Sequence, residues 1–217
     1  MAAADNARWC ESVCRAHGLA GRFSPGAWTS SVRTPPFYPD AVTLDPAVQA
    51  ADILGAIDTS AGCPVKDSFA NLDLSDAGFE VLFDASWIHR DPTDPGRSVA
   101  GVPTWTRATD PADLAGIDFV VDFPPELLAD QTVTVLGARV GERWTDAVIL
   151  TRRDAVVGLS NLVVGDDPER AWAGAVTAID SMFPGKSIVG YEHGEDLEHA
   201  VQQGFTPIGP LRVWLKN

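Results

Sequence analysis

The sequence predicts an α+β protein with α/β-type layers, in which helices flank a mixed, mostly antiparallel sheet. Of its 217 residues 45% are apolar, which is enough to bury one compact core or two small ones. Several runs rich in branched and aromatic residues, each bounded by turn residues, are typical of strands. The segments between them carry apolar residues at helical spacing, and the closing helix–strand–helix–strand order places a parallel pair beside antiparallel hairpins.

In the first hundred residues the clearest helix is predicted at 5–17, where Trp9, Val13 and Ala16 share one stripe. Residues 21–39 are predicted to be irregular, because prolines and glycines recur among them. The other elements predicted here are a strand at 41–44, a helix at 46–57 and a long strand at 79–90.

Prolines and glycines in residues 90–101 mark a predicted domain boundary. We therefore expect one domain at 1–100, either an N-terminal extension or a degenerate half-repeat, and a second domain at 101–217. Hairpin-length turns at 141–142 and 152–154 favour antiparallel pairing of three central strands. The elements predicted in the second half are strands at 103–108, 132–140, 145–151, 155–164, 187–191 and 207–215, and helices within 109–114, 125–129, 168–182 and 195–203.

Two segments of the second half resemble the GNAT (N-acetyltransferase) superfamily. The run Asp-Leu-Glu-His-Ala-Val-Gln-Gln-Gly-Phe-Thr-Pro-Ile-Gly at 196–209 looks like the closing helix of that family, which ends in a Gly-Phe turn before the final strand. The run Thr-Trp-Thr-Arg-Ala-Thr-Asp-Pro-Ala-Asp-Leu at 104–114 resembles its opening strand and helix. The order of predicted elements over 103–217 also matches. The resemblance implies a divergent GNAT-like fold and the transfer of an acyl group from a coenzyme A thioester to an amine of a small molecule.

The resemblance also implies acetyl-coenzyme A or another acyl-coenzyme A as cosubstrate, held through its pyrophosphate by backbone N–H groups at a helix start. The corresponding stretch, 164–174, lacks the family's Arg/Gln-x-x-Gly-x-Gly/Ala motif. Its Asp166, Asp167 and Glu169 place negative charge there instead, which stabilises the helix dipole and repels phosphate. Ala200 stands where the family often has a general-acid tyrosine.

In that family the pantetheine arm enters between the fourth and fifth strands. The corresponding segments here are 158–161 and 189–194. We therefore expect Leu159, Ser160 and Asn161 to contact the cosubstrate. Ser160 and Asn161 also fit the alternative of a β-bulge, because they interrupt an otherwise apolar run.

The second of these segments supplies the candidate catalytic groups. Glu192 or His193 is expected to accept a proton from the attacking amine, while backbone N–H groups polarise the thioester carbonyl. Tyr191 and Trp105 are expected to contact the substrate.

The long predicted strand offers a further candidate base. His89 titrates near neutral pH in its unperturbed state, and the alternative is an ordinary solvent-exposed histidine. Trp87 lies on the same predicted face and is a candidate for substrate binding. Arg90, on the opposite face with Ile88, is expected either to bind an anionic substrate or to form an ion pair.

Residues 62–69 are predicted to form a turn between a helix and a strand. Lys66 in this turn is a candidate for substrate binding, and its ammonium would favour a nucleophilic thiolate at Cys63. The alternative is a small buried cysteine in the turn, with Lys66 and Asp67 as a pair on the surface.

Cys10, Cys14 and His17 have a spacing that invites comparison with a metal site. On a helix, however, residues seven apart are displaced by about 10.5 Å along the axis, too far to converge on one ion. We therefore expect no metal there and a packed helix face instead.

The balance of 16 Lys and Arg against 30 Asp and Glu gives a formal net charge of −14, which disfavours nucleic acids and anionic membranes as partners. The absence of a long apolar run and of a basic, then apolar, start favours a cytoplasmic protein with reduced cysteines. The expected partner is a small-molecule substrate, and a homodimer is left open. Two alternatives to an acyltransferase also stay open: a GNAT-fold protein that has lost coenzyme A and binds or transforms a small metabolite, and a non-catalytic interaction protein.

Overall fold

The computed structural model describes residues 1–94, 96–114, 117, 123–141, 143–153 and 155–217. The chain forms two compact units. Unit 1 contains Ala3–Trp87 and Gly209–Asn217, and unit 2 contains Ile88–Ile208. Their limits differ from the domains 1–100 and 101–217 that the sequence suggests, because most of the last strand lies in unit 1; the domain division itself stays a prediction.

Unit 1 begins with a helix that buries the face predicted for it, including Trp9 and Val13. Its strands lie in the order β1-β2-β3-β4-β11-β5, with β3 and β4 parallel and β4 and β11 antiparallel. A small apolar core is built around Ile53, Phe79 and Trp214. The elements are α1 Ala2–Ala16, β1 Arg22–Phe23, β2 Ala27–Thr29, β3 Ala41–Thr43, α2 Ala50–Leu54, β4 Pro64–Asp67, β5 Phe79–Arg90 and, from the end of the chain, β11 Thr206–Lys216.

Three expectations for unit 1 are corrected by the structure. Residues 21–39 are not wholly irregular, since they contain the paired strands β1 and β2. The helix predicted at 46–57 is limited to Ala50–Leu54. The turn predicted at 62–69 contains strand β4, in which Lys66 and Asp67 are buried rather than paired on the surface. A buried Lys66 is tolerated here because its ammonium donates to Asn6 Oδ1 at 2.9 Å.

Unit 2 has the strand order β5-β10-β9-β8-β7-β6, with antiparallel pairing from β6 to β9 and parallel pairing of β9 with β10. The sheet is therefore mixed, as predicted. Its core packs Trp172, Val176 and Ile179 of one long helix against Ile88 and Ile188. The elements are β6 Trp105–Arg107, α3 Pro111–Leu114, α4 Pro125–Ala129, β7 Val133–Val140, β8 Arg143–Arg152, β9 Val156–Val163, α5 Pro168–Met182, β10 Ser187–Glu192 and α6 Gly194–Gln202.

The predicted helices at 125–129 and 168–182 are confirmed as α4 and α5. The predicted turns include Glu142 and Asp154, which lie outside the described residues, as does Pro95 in the predicted boundary segment. Among the described residues, no helix is long and apolar enough to cross a membrane.

Both units repeat one local plan. An antiparallel strand pair is followed by a helix and by a strand parallel to the second of the pair: β2-β3-α2-β4 in unit 1 and β8-β9-α5-β10 in unit 2. In unit 1 the strand beside β4 is β11, and in unit 2 the strand beside β10 is β5. Whether residues 1–100 are an N-terminal extension or a degenerate half-repeat stays a prediction.

Candidate active site

The parallel strands β9 and β10 of unit 2 pair over a short distance. Their ladder joins Ser187 to Val156, Ile188 to Val157 and Val189 to Gly158, and then stops, although both strands continue. Residues Leu159–Val163 and Gly190–Glu192 are therefore not paired with each other. We call these two segments the unpaired ends of β9 and β10.

Strand β9 bends at this point because it carries a β-bulge. Ile149 of β8 faces Ser160 and Ala147 faces Val163, so two residues of β8 span three of β9. Asn161 has a φ of 51°, in the left-handed region that asparagine tolerates better than most residues. The bulge alternative for Ser160 and Asn161 is thus confirmed, whereas their contact with a cosubstrate stays a prediction.

The two strands still approach each other closely at Gly190. A Cβ atom at this position would lie 2.9 Å from the carbonyl oxygen of Leu159, so no larger residue fits without a shift. Leu159 itself is buried in the core, while Ser160 and Asn161 are half-buried. The polar side chains thus come just after the closest approach of the strands, as expected for a ligand site at strand ends.

Glu192 is the last residue of β10 and is half-buried immediately before helix α6. Burial and the neighbouring Asp196 carboxylate together raise the pKa of Glu192 from 4.5 to about 8. Asp196 in turn accepts a long hydrogen bond of 3.4 Å from the indole N–H of Trp172. Glu192 can therefore take up and release a proton near neutral pH, as a general base requires.

The other two candidates on this segment flank Glu192. Tyr191 is half-buried on β10, and His193 is exposed at the N-cap position of α6, where its side chain makes no capping hydrogen bond. The structure thus places Tyr191 and Glu192 at the unpaired end of β10, and His193 directly after it. The substrate and catalytic roles of Tyr191 and His193 stay predictions.

His89 also belongs to unit 2 and is half-buried on β5. Ile88 and Arg90, on the opposite face of this strand, are both buried. Arg90 donates to Asp180 Oδ1 of α5 at 2.8 Å, which confirms its ion-pair alternative. The role of His89 as a base stays a prediction.

Trp105 lies on the edge strand β6, which three strands separate from β10. Its ring packs against the core of unit 2 and faces Gly174 of α5, where a Cβ atom would clash with the indole nitrogen. That nitrogen is buried and has no hydrogen-bond partner. Four strand spacings, about 19 Å, separate this position from β10, and the substrate contact predicted for Trp105 stays a prediction.

Trp87, Lys66 and Cys63 lie in unit 1 and are buried. The Trp87 indole donates to the carbonyl oxygen of Ser68 at 2.8 Å. Burial and the nearby Asp40 carboxylate raise the pKa of Cys63 to about 12, so the expectation that Lys66 would favour a thiolate there is wrong. The substrate-binding roles predicted for Trp87 and Lys66 stay predictions.

Cys10 and Cys14 are buried on helix α1, which ends before His17. Burial raises the pKa of both thiols, that of Cys10 to about 11. Within the described part of the chain, no group of three His, Cys, Asp or Glu side chains is arranged to hold a metal ion.

The N-terminus of α5 is the place where the resemblance would put the pyrophosphate of coenzyme A. The backbone N–H of Gly165, just before the helix, donates to Asp146 Oδ1 at 2.9 Å. The N–H of Arg170 donates to Asp167 Oδ1 at 3.1 Å, and Pro168 has no N–H. Two N–H donors at this helix start are thus held by the chain's own carboxylates, and Pro168 supplies none.

An upstream segment of unit 2 also contacts this solvent-exposed helix start. The Arg170 guanidinium donates to the carbonyl oxygen of Ala100 at 3.2 Å and lies against Gly101, whose φ is 68°. Arg97 forms an ion pair of 2.8 Å with Glu169. The residues present therefore do not fit the pyrophosphate of coenzyme A, and sequence reasoning had missed the parts played here by Asp146, Arg97 and Ala100.

The comparisons with known proteins support the fold. No protein-family model and no curated protein matches the chain. A conserved protein of unknown function from Staphylococcus epidermidis is similar over 90% of this chain and 92% of its own, with a TM-score of 0.64 and 9% identity. A GNAT-family protein from Novosphingobium aromaticivorans is similar over 99% of both chains, with a TM-score of 0.56 and 11% identity.

A GCN5-related N-acetyltransferase from Kribbella flavida is similar over 100% of this chain and 95% of its own, with a TM-score of 0.54 and 12% identity. At such identities the likeness concerns the fold. The chain has a divergent GNAT-type fold, as the sequence predicts.

Proposed function

We propose that unit 2 catalyses transfer of an acyl group from a thioester to an amine of a small molecule, at the unpaired ends of β9 and β10. The observation that carries this proposal is Glu192, a carboxyl group whose pKa is raised to about 8 where two parallel strands of a GNAT-type sheet separate. A buried group with a shifted pKa at strand ends is the usual mark of a proton-transfer site.

The reaction balances with the groups present. The amine nitrogen attacks the thioester carbonyl carbon, a C–N bond forms, and the C–S bond breaks. Glu192 accepts the proton that the amine loses and then gives it to the departing thiolate, which leaves as a thiol and restores the carboxylate. In this proposal, backbone N–H groups at the bulge of β9 polarise the carbonyl oxygen.

Glu192→Gln tests this assignment in an acyl-transfer assay over a panel of small amines and acyl thioesters. Because Gln cannot accept a proton, we expect turnover to fall by roughly 100-fold or more with little change in donor affinity. Glu195→Gln, an exposed carboxyl three residues further on, is the matched control and leaves turnover unchanged. A folded wild-type protein that transfers no acyl group from any thioester, or a Glu192→Gln variant of full activity, contradicts the proposal.

A second candidate keeps the fold and the unpaired ends of β9 and β10 but discards coenzyme A, so that the protein binds or transforms a small metabolite. The carboxylates at the start of α5 and the contact of Arg170 with Ala100 favour it. Under either proposal we expect a small-molecule partner, a cytoplasmic location and no nucleic-acid or anionic-membrane partner, given the net charge of −14. A homodimer is left open.

A further inference from the structure

The start of α5 is strongly acidic. Asp146, Asp166, Asp167 and Glu169 bring four carboxylates to the first turn and the residues before it. Among the described residues, the guanidiniums of Arg97 and Arg170 form ion pairs with Glu169 and Asp167. These groups leave an excess of negative charge where a diphosphate and a 3′-phosphate would have to lie.

Hydrogen bonds within the chain also engage donors at this helix start that a phosphate would need. Asp167 caps the helix through the Arg170 N–H, and Arg170 is held in addition by Ala100. A phosphate arriving here would have to displace carboxylates that already satisfy these donors and would itself be repelled.

The unpaired ends of β9 and β10 suit a different kind of group. A strand that ends its ladder while its neighbour continues presents backbone donors and acceptors to any extended chain that bears amides. Pantetheine is such a chain, since it carries two amides and no charge. The two parts of coenzyme A thus meet different surroundings: unpaired strand ends where the arm would lie, and carboxylates where the pyrophosphate would lie.

We infer that the acyl donor is a phosphate-free thioester of the pantetheine type, and that the nucleotide half of coenzyme A contributes nothing favourable to binding. This inference rests on the proposed function, because it names the donor class for the same site.

Calorimetric titration of the full-length protein with S-acetylpantetheine, acetyl-coenzyme A and 3′,5′-adenosine diphosphate tests it. We expect S-acetylpantetheine to bind at least as tightly as acetyl-coenzyme A, the nucleotide alone to give no heat, and the acetyl group of S-acetylpantetheine to reach an amine. Acetyl-coenzyme A bound about tenfold more tightly than S-acetylpantetheine overturns the inference and leaves acyl transfer standing. Failure of both thioesters to bind to folded protein overturns the inference and the proposed function together.

A charge variant makes the reason testable. Replacing Asp166, Asp167 and Glu169 by Asn, Asn and Gln keeps a capping oxygen at position 167 while removing three charges. We expect the Kd for acetyl-coenzyme A to fall by about tenfold and that for S-acetylpantetheine to stay constant. Asp45→Asn, an exposed acid of unit 1, is the control and changes neither. An unchanged affinity for acetyl-coenzyme A in the triple variant overturns the exclusion by charge.

Discussion

The parallel strand pairs β3–β4 of unit 1 and β9–β10 of unit 2 follow the same plan but end differently. In unit 1 the ladder ends with Val42 opposite Lys66, and the chain then closes over the strand ends. The Ser68 N–H donates to Thr43 Oγ1 at 2.8 Å, and the Asp67 carboxylate accepts from the N–H groups of Phe69 and Leu72. Thr43, Asp67 and Ser68 are all buried.

In unit 2 the corresponding ends carry groups that the local chain does not enclose. Strand β9 turns into a bulge at Ser160, and β10 ends in the half-buried Glu192, whose pKa is raised to about 8. The carboxyl group of Asp67 in unit 1 thus accepts backbone hydrogen bonds. The pKa of Glu192, in contrast, is raised mainly by burial and also by the neighbouring Asp196.

This difference shows that the same arrangement of strands can end in two different environments for a carboxyl group. Where the following loop turns back and donates its N–H groups to the strand end, the carboxylate becomes part of the structure. Where it does not, the carboxyl group keeps its proton to an unusually high pH and stays available for chemistry. In this chain the two strand ends therefore differ through the loop that follows the strand more than through the strand itself.

At the end of strand β4 in unit 1, the variant Asp67→Ala removes the carboxylate that accepts the loop's hydrogen bonds. The change leaves the buried N–H groups of Phe69 and Leu72 without an acceptor, so we expect the free energy of unfolding to fall by about 3 kcal/mol, measured with urea. Asp58→Ala is the control, because Asp58 accepts a similar N–H bond from Ser60 but is exposed. Equal losses in the two variants would show that the closed end of unit 1 has no special structural role.

The ionisation of Glu192, at the end of β10 in unit 2, is expected to lower the stability of the protein at high pH. Because the folded pKa of Glu192 lies above its ordinary value of 4.5, the folded protein binds the extra proton, and stability falls as pH rises from about 4.5 through 8. Glu192→Gln removes this ionisation. We expect the variant to gain roughly 2 kcal/mol on the wild type between pH 5 and pH 9, after an allowance for partial exposure.

Urea unfolding at the two pH values measures this gain. Glu195→Gln, which removes an exposed charge from the same helix start, should show no such difference between pH 5 and pH 9. If Glu192→Gln and the wild type keep a constant difference in stability, Glu192 ionises normally and the contrast between the two units is lost.

Much of the fold could be predicted because its signals are local. Helix α5 has a capping aspartate, a proline in its first turn and an apolar stripe, and its bounds are as predicted. Strand β4 could not be predicted, since Pro64–Asp67 contains a lysine and an aspartate that look like surface residues. Their burial depends on Asn6, far along the chain, and on N–H groups that only the folded loop brings to Asp67.

The roles of the candidate site residues stay predictions, but parts of their surroundings could be predicted. Glu192 was proposed from the resemblance, the bulge at Ser160 from polar residues that interrupt an apolar run, and the acids at the start of α5 from the sequence alone. The contact of Asp146 with the Gly165 N–H joins residues 19 apart, and that of Arg170 with Ala100 joins residues 70 apart. No local sequence pattern predicts either contact, so the contacts at the start of α5 can be found only from the three-dimensional structure.

The smallest expected effect is that of replacing Asp196. Its negative charge raises the pKa of Glu192 and so favours the protonated carboxyl group. With a pKa of about 8 for Glu192, the rate of acyl transfer should rise about tenfold between pH 7 and pH 9, as the carboxylate forms. Asp196→Asn keeps an acceptor for the Trp172 indole but removes the charge, so the midpoint of the profile should shift to lower pH and the rate at pH 7 should rise about threefold. The measurement is a pH–rate profile under single-turnover conditions, with Glu195→Gln as the neighbour whose removal leaves the midpoint in place. A midpoint that stays near 8 in Asp196→Asn would assign the titration to a group other than Glu192, because the charge of Asp196 raises the pKa of Glu192 in this structure.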